Sequence, residues 1–330
     1  IRGFATNRLL YAIDGVRMNT AIFRAGNIQN VISLDAFATE SAEILFGPGS
    51  VIYGSDAIGG VMAFQTLTPK FSTQDHKLSV HGNATFRHST ANAEKTGHFD
   101  LNIGSKKFAS ITSVSYNDFG DLRMGSDGPI EYLKKLDVIR EGGKDVIVVN
   151  KDSLVQVPSG YSQLNLMQKF RFAVSENWDV QYAFHYSETS EYSRYDRHIR
   201  YRNGLPRYGE WKYGPQKWLM NQLTLTHNRT SGLYDQMSIR LAHQAFEESR
   251  IDRDINRPIR HIKTEKVGAY SLNVDLSKTI SEHRKINYGI EGVINDVQSI
   301  GVDEDILMNT TAPGATRYPE ATWSSYAAYI

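Results

Sequence analysis

The sequence contains no cysteine and no long apolar run among its 330 residues. The absence of cysteine excludes disulfides, Cys-ligated zinc and thiol nucleophiles. The absence of an apolar run excludes a membrane-spanning helix, which needs roughly 20 consecutive apolar residues. Neither sign of charge is in excess, since 37 Lys and Arg are balanced by 36 Asp and Glu. This balance gives no support to a nucleic-acid-binding function, which favours a basic face.

The mean hydropathy of -0.42 by itself suggests a soluble protein. That inference is unsafe, because the strands of a membrane β-barrel alternate lipid-facing and lumen-facing residues and average out as polar. The chain begins at Ile1 and shows no secretory signal. Because it does not begin with Met, we expect the natural N-terminus to lie upstream, so the missing signal excludes nothing.

Short apolar runs punctuated by glycine occupy the part of the chain before Pro69. Residues 10–13 form one such run, and Asp14-Gly15 after it predicts a turn because glycine tolerates positive φ. Residues 34–46 favour a short helix followed by a strand. We therefore predict a small mixed α/β unit for residues 1–70.

After Pro69 the sequence alternates between apolar and polar side chains. In residues 77–88 the period of two places Leu78, Val80 and Phe86 on one face and polar residues on the other. The same period recurs at 99–103, 164–174, 178–187, 270–276 and 286–294. Such alternation predicts strands with one apolar and one polar face.

Short and long links alternate between these strand candidates. Short links occur near 105–107, 175–177, 230–232 and 281–283, and longer ones at 89–95, 120–159, 188–216, 250–261 and 299–322. A transmembrane barrel has this pattern, with tight periplasmic turns at one rim and larger extracellular loops at the other. We therefore predict an all-β transmembrane antiparallel barrel for residues 71–330.

Ten strand candidates can be counted, the last at residues 323–330. Ten strands are too few to enclose a filled lumen, and an open sheet edge is not tolerated in lipid. We therefore expect residues 71–330 to be the N-terminal part of a larger barrel, which is incomplete in this chain.

The most specific motif runs from Gly47-Pro48-Gly49 through Tyr53-Gly54 to Gly59-Gly60-Val61. It resembles the plug signature of TonB-dependent outer-membrane receptors, and Ile1-Arg2-Gly3-Phe4 and Ile13-Asp14-Gly15-Val16 resemble two further plug motifs in the family's order. The plug-motif residues are Arg2, Gly3, Asp14, Gly15, Gly47, Pro48, Gly49, Tyr53, Gly54, Gly59 and Gly60. Arg2 and Asp14 could pair with each other or with charges of the lumen. No Lys-Ser or Lys-Thr follows Gly60, which disfavours a phosphate-binding loop.

Two positions depart from the family pattern. Phe46 stands where the family usually has Arg or a similar polar residue, and Ala63 stands where Asn or Asp is usual. These departures leave the predicted fold unchanged. They predict an altered electrostatic contact between the plug and the barrel wall.

The resemblance implies that residues 1–70 are the C-terminal part of a small α/β plug domain inside the barrel. It also implies a receptor in the outer membrane of a Gram-negative bacterium, surrounded by lipid and coupled to the TonB energy-transducing complex through a plug segment upstream of this chain. The expected cargo is a ferric siderophore or haem, with cobalamin or an oligosaccharide as alternatives. A non-transporting surface receptor or adhesin on the same scaffold stays open. We predict no enzymatic activity, cofactor, metal site or nucleic-acid partner.

The third long link is rich in arginine and aromatic residues, which predicts a site for an anionic and partly aromatic ligand. Arg binds carboxylates bidentately, and Tyr and Trp offer flat contact area with a hydrogen-bonding edge. The candidate ligand-binding residues are Arg194, Tyr195, Arg197, His198, Arg200, Tyr201, Arg207, Tyr208, Trp211 and Tyr213. The alternative interpretation is a membrane-interface belt with basic residues facing lipopolysaccharide.

Two histidines and an acidic run lie in the predicted loops. His198 and His261 could ligate haem iron, but no second ligand at a fixed spacing supports this, so a solvated loop position is the alternative. Asp303-Glu304-Asp305 could bind Ca²⁺ or form a solvated loop, and the sequence favours the loop.

Overall fold

A computed structural model describes residues 9–18, 21–22, 30–46, 53–54, 57–73 and 77–330. In these ranges the chain forms a small sheet, a large sheet and two short separate hairpins. Arg2, Gly3, Gly47, Pro48 and Gly49 of the predicted plug motifs lie outside the described residues.

No helix in the described ranges is both long enough and apolar enough to cross a membrane.

The small sheet has four strands in the order β2-β1-β4-β3. The strands are β1 (Leu10–Ile13), β2 (Val16–Arg17), β3 (Thr39–Phe46) and β4 (Gly60–Thr66). Strands β1 and β4 are parallel, and the other two pairings are antiparallel. The predicted turn is present, since Asp14 and Gly15 join β1 to β2 with φ of 48° and 80°. The helix predicted near residue 34 lies slightly earlier, as a single 3-10 turn at Asn30–Ser33.

The large sheet consists of long antiparallel strands, each paired with the next long strand along the chain. In chain order the strands from residue 79 onward are β5 (Ser79–Ser89), β6 (Glu94–Gly104), β7 (Phe108–Phe119), β8 (Leu136–Glu141), β9 (Lys144–Val149), β10 (Tyr161–Ala173), β11 (Trp178–Thr189), β12 (Tyr192–Ser193), β13 (Tyr201–Arg202), β14 (Leu205–Pro206), β15 (Tyr208–Tyr213), β16 (Lys217–Asn228), β17 (Gln236–Asp254), β18 (Ile259–Ser281), β19 (Arg284–Asp305), β20 (Thr310–Pro313) and β21 (Ala321–Tyr329). The short pieces β8–β9 and β13–β14 are hairpins within two of the long links. A 3-10 turn (Ile130–Tyr132) and a short α-helix (Tyr195–His198) lie in the same links.

The period of two in the sequence decides which face of the large sheet each side chain joins. Val80, Phe86 and Tyr270, all predicted on the apolar face, are 54%, 89% and 59% exposed. The opposite face of the wall strands carries buried polar residues such as Asn102 and Lys169. The predicted orientation of the alternating strands is therefore confirmed.

The small sheet lies against the inner, polar face of the large sheet. Ile13, Val16 and Met18 of the small unit share a buried cluster with Trp218 and Phe246 of β16 and β17. Strands as far apart as β6 and β19 contact this unit, so the large sheet curls around it. The fold is therefore an open, curled antiparallel barrel wall around a small four-stranded unit, in agreement with the predicted barrel and plug.

Several predicted loops are shorter than the sequence suggests. The link predicted at 250–261 is largely strand, because β17 continues to Asp254 and β18 begins at Ile259. The link predicted at 89–95 contains only four residues between β5 and β6. These strand ends carry polar side chains on both faces, so their extension does not show as apolar-polar alternation.

Candidate functional site

The turn of the small sheet is held by a buried group of polar residues on the barrel wall. Asp14 accepts hydrogen bonds from the backbone N–H of Thr66 at 2.8 Å and from its hydroxyl at 2.7 Å. The Nζ of Lys169 on β10 lies 2.8 Å from Asp14 Oδ2, and Nε2 of His185 on β11 lies 3.5 Å from the same oxygen. The side chains of Asp14 and Lys169 are 3% and 0% exposed, so this ion pair is removed from solvent.

The environment of Asp14 favours its charged form. Burial by itself raises the pKa of this carboxyl, but the nearby His185 ring and the positive charge of Lys169 outweigh burial. The pKa of Asp14 therefore lies well below its usual range. The predicted pairing of Asp14 with a lumen charge is present, and the alternative pairing with Arg2 lies outside the described residues.

Further polar contacts distribute the attachment of the small unit around the wall. Gln222 donates to the carbonyl of Asp14 at 3.0 Å, and Gln244 donates to the carbonyl of Arg17 at 2.8 Å. Arg17 Nη2 lies 2.9 Å from Glu291 Oε1 on β19 and also donates to the carbonyl of Tyr53. Because these contacts come from several strands, the small unit is fixed in position inside the wall.

On the other side of the small unit, Asp35 and Phe37 contact the first wall strands. Ser115 on β7 donates to Asp35 Oδ2 at 2.6 Å, and the Phe37 ring stacks on the His98 ring at 5.0 Å. Gln163 on β10 donates to the carbonyl of Ile32 at 2.7 Å. The segment before β3 is thereby also attached to the wall.

Sequence reasoning singled out Asp14 but missed its partners Lys169 and His185. Both lie on the inward face of their strands, and a charged lysine in the middle of that face was an available signal.

The structure also shows where the two departures from the family pattern lie. The side chain of Phe46 is 59% exposed at the end of β3, and Ala63 lies within β4 opposite Glu43. Gly60 begins β4 with φ of 128°, which favours glycine.

The predicted ligand loop is organised around Trp211, which is only 5% exposed. The guanidinium carbons of Arg194 and Arg197 lie 5.1 and 5.3 Å from the centre of its ring. Tyr213 packs edge-on against the same ring at 5.2 Å, and His198 Nε2 donates to the Trp211 carbonyl at 3.0 Å. Five of the candidate residues are therefore brought together, but largely as the core of the loop itself.

Other candidate residues have partners within the loops. Tyr208 is 8% exposed and lies 4.8 Å below the guanidinium of Arg207. Tyr195 donates to the carbonyl of Tyr132 at 2.7 Å and so joins this loop to the preceding one. These contacts explain the buried aromatic residues as packing between loops.

Arg200 and Tyr201 face solvent, as does the side chain of Arg207, which is 40% exposed. Tyr201 is 41% exposed at the start of the β13–β14 hairpin, and Arg200 precedes it as an exposed residue. The hairpin turn at Asn203 and Gly204 has positive φ at both positions, which fixes a tight reversal. The side chains available to a ligand are therefore at or next to the tip of this loop.

His198 predicts a dependence of the loop on pH. Burial, followed by the charge of Lys134, lowers the pKa of His198 from 6.5 to about 4. A group whose folded pKa is lowered in this way is neutral when folded, so protonation favours the open loop. We expect the contribution of His198 to loop stability to be complete above pH 6.5 and to be lost as the pH falls from 6.5 towards 4. Amide hydrogen exchange of residues 195–211 measures this.

The variant His198→Gln provides the control, since its amide can donate to the Trp211 carbonyl but does not titrate. Its hydrogen exchange in this loop should be the same at pH 7 and pH 4.5, apart from the intrinsic effect of pH. If this variant still shows the pH-dependent exchange of the parent protein, the assignment to His198 is wrong.

The second histidine and the acidic run lie in β18 and β19 and not in the predicted loop, and the side chains of His261 and Asp303 are solvated, at 46% and 36% exposed. His261 Nδ1 lies 2.7 Å from Asp303 Oδ1, and Glu304 accepts from Arg260 at 3.1 Å across the β18–β19 pairing. Asp305 accepts from the backbone N–H groups of residues 307 and 308 and so closes the turn after β19. The described residues contain no group of three or more His, Asp or Glu side chains arranged for a metal ion.

The chain is similar to a known domain family and to several known transporters. Residues 1–61 match the TonB-dependent Receptor Plug Domain family. The chain is 25% identical over 194 residues to the vitamin B12 transporter BtuB of Vibrio vulnificus, covering 58% of this chain and 26% of that protein. It is 30% identical over 135 residues to a hemin receptor of Yersinia enterocolitica, covering 39% of this chain and 18% of that protein. The chain thus spans about a quarter or less of these relatives.

Solved structures show the same fold along nearly the whole chain. The copper transporter OprC matches with a TM-score of 0.72 at 13% identity, over 99% of this chain and 44% of that one. The unliganded ferric citrate transporter FecA matches with a TM-score of 0.62 at 13% identity, over 99% and 45%. Residues 1–61 therefore belong to the TonB-dependent Receptor Plug Domain family, and the barrel wall that surrounds the small sheet has the fold of these transporters.

Proposed function

We propose that this receptor binds a scarce small ligand at its extracellular loops and imports it by energy-coupled displacement of the plug. The observation that carries the proposal is the position of the small sheet, which fills the inner face of the wall and is held there by the buried Asp14–Lys169 pair. A ligand cannot pass such a plug without breaking buried polar contacts, and breaking them requires work. The coupling partner is the TonB complex, acting through a plug segment upstream of this chain.

In this proposal residues 1–70 are the plug and residues 71–330 the first part of the barrel, with the change between β4 and β5. Members of the family are outer-membrane proteins of Gram-negative bacteria, and we place this chain in that membrane. The rim with the short links near residues 105–107 and 282–283 then faces the periplasm, and the rim with Trp211 faces the exterior.

The cargo we favour is a ferric siderophore or haem, because the exposed tip of the loop carries Arg200 and Tyr201. A guanidinium and a phenol suit an anionic ligand with flat rings. Relatives named as hemin receptor and neighbours named as ferric-chelate transporters are compatible with this choice. The similarity to a vitamin B12 transporter keeps cobalamin as the second candidate, with an oligosaccharide behind it.

The test is a titration of the full-length receptor in detergent with ferric siderophores, haem, cobalamin and oligosaccharides, followed by tryptophan fluorescence. Trp211 lies in the same loop as the proposed contact residues and serves as the reporter. We expect one ligand to quench fluorescence saturably, and we expect Arg200→Ala with Tyr201→Ala to weaken its binding about 10- to 100-fold. Arg229→Ala, an exposed arginine in a short link at the opposite rim, should leave Kd unchanged.

Transport is separated from binding by measuring accumulation of the same ligand in cells. Collapse of the proton gradient should abolish accumulation and leave surface binding intact. Binding without energy-dependent accumulation would favour a non-transporting receptor, and no saturable binding of any of these ligands would overturn the cargo assignment.

A further inference from the structure

A carboxylate of the second long link occupies a pocket formed by Arg253 of the barrel wall and the backbone beside it. Asp145, at the start of β9, lies 2.6 and 2.8 Å from the two terminal nitrogens of Arg253 on β17, 108 residues away. The side chains of Asp145 and Arg253 are 0% and 1% exposed. Asp145 also accepts from the backbone N–H of Asn256 at 2.7 Å and from Arg140 at 3.1 Å. This is a complete bidentate carboxylate site.

The charges around this pocket balance only when a carboxylate is present. Arg253 also lies 3.3 Å from Glu210, and Arg260 pairs with both Glu210 and Glu304. With Arg140 the group contains three arginines and three acids, so loss of Asp145 would leave one buried positive charge in excess. An unpaired buried charge is strongly unfavourable, so the pocket requires an anion.

The backbone beside the pocket leaves room for the guanidinium and its carboxylate. A Cβ added at Gly209 would lie 2.6 Å from Arg253 Nη2 and 2.9 Å from Asp145 Oδ2. Any side chain larger than hydrogen at this position would therefore displace one of the two. Solvent reaches the edge of the site, where the side chains of Arg260 and Arg140 are 27% and 33% exposed.

The pocket adjoins the proposed ligand surface. Glu210 and Trp211 are neighbours on β15, and they pair in register with Arg253 and Asp252 on β17. The β8–β9 hairpin that carries Asp145 precedes β10, and the same link contacts the ligand loop through Tyr132 and Tyr195. A ligand on the Arg200–Tyr201 tip is therefore on the same group of loops as the pocket.

We propose that Arg253 and the N–H of Asn256 form a carboxylate subsite of the receptor, and that a carboxylate-bearing ligand exchanges with Asp145 and releases the β8–β9 hairpin. The inference rests on the proposed function and names the chemical class of ligand that this pocket takes. The exchange replaces one carboxylate by another, so charge balance and hydrogen bonds to Arg253 are kept. Asp145 acts in this scheme as an internal competitor, which lowers the apparent affinity of the ligand.

The scheme predicts that removal of the Asp145 carboxylate improves the binding of a carboxylate ligand. If Asp145 holds the pocket about 90% of the time, Asp145→Ala should tighten the binding of a carboxylate ligand about tenfold. A purely structural ion pair predicts unchanged or weaker binding after the same substitution. The matched control is Asp152→Ala, which removes an acid of the same link whose pair with Arg123 is about half exposed.

The experiment measures Kd of the full-length receptor for ferric citrate, a tricarboxylate chelate, and for a ferric hydroxamate that has no carboxylate. Asp145→Ala should bind ferric citrate about tenfold more tightly than the parent protein, Asp152→Ala should match the parent, and neither should alter hydroxamate binding. Arg253→Met should remove the gain when combined with Asp145→Ala. In the parent protein, ferric citrate should accelerate amide exchange of residues 136–149.

Equal or weaker ferric citrate binding by Asp145→Ala would overturn the subsite, as would an equal gain for the hydroxamate. Failure of both the parent protein and Asp145→Ala to bind ferric citrate would overturn it as well. These outcomes are separate from the proposed function, since saturable binding and energy-dependent uptake of another ligand would leave that function standing.

Discussion

Replacing Asp14 with alanine is expected to loosen the plug, at a cost of about 3–5 kcal/mol in the free energy of unfolding. The reason is that Lys169, with a fully buried side chain, loses its carboxylate and stays in the wall as an uncompensated charge. Trp218 packs in the core that joins the plug to the wall, so its fluorescence reports the release during denaturant unfolding of the full-length receptor.

Two variants test the origin of this effect. Glu40→Ala removes a plug carboxylate whose pair with Lys70, at 3.8 Å, is largely exposed, and it should change stability by less than about 1 kcal/mol. Asp14→Asn combined with Lys169→Met removes both buried charges and should recover part of the loss. If the double variant is as unstable as Asp14→Ala with no recovery, the ion pair is not the cause.

The same contact should resist acid. Because the pKa of Asp14 is lowered in the folded protein, its contribution is complete above about pH 3.8 and is lost only as the pH falls further. The plug contact and the His198 loop therefore respond to different ranges of pH, with the loop opening first.

An arginine at Leu241 is expected to prevent efficient assembly of the barrel, at a cost of about 2–4 kcal/mol. Leu241 is 47% exposed on the outer face, and its register partners are Leu223 and Leu272, so this surface faces lipid hydrocarbon. Burying a guanidinium there leaves it without hydrogen-bond partners. The measurement is the fraction of folded receptor recovered from membranes, read as heat-modifiable migration in gel electrophoresis.

The control places the same arginine near the extracellular rim. Gln298 is exposed on the outer face of β19, opposite Lys266, which lies 3.2 Å from Glu247. Gln298→Arg should cost no more than about 1 kcal/mol, because water and headgroups reach this height. An equal loss of assembly in both variants would contradict the assignment of the apolar band around Leu241 to the membrane.

Local patterns were enough to predict the orientation of side chains along each wall strand. In β10, alternation alone places Phe170 outward and Lys169 inward, since successive side chains of a strand point to opposite faces. The turn at Asp14 and Gly15 could also be predicted from the sequence, because these two residue types favour positive φ at successive positions. The same local signals misplaced the ends of β17 and β18, where both faces are polar.

The loop residues show what such patterns leave open. Composition identified an arginine and tyrosine cluster, but it could not separate buried Trp211 from exposed Tyr201. Both residues lie in a polar link without periodicity, so the sequence does not predict which of the two side chains is buried. Their exposure depends on which loop packs against which, and the contact of Tyr195 with Tyr132 spans 63 residues.

The sequence by itself determined the plug motifs, the alternation of the wall and the facing of each strand, because these depend on neighbours within a few residues. Only the tertiary structure decided the partners of the buried charges. Asp14 meets Lys169 and His185, and Asp145 meets Arg253, because the curled sheet and the folded loops bring distant segments together. The residues next to a carboxylate in the sequence do not indicate which distant cation it pairs with, so these ion pairs could be found only from the tertiary structure.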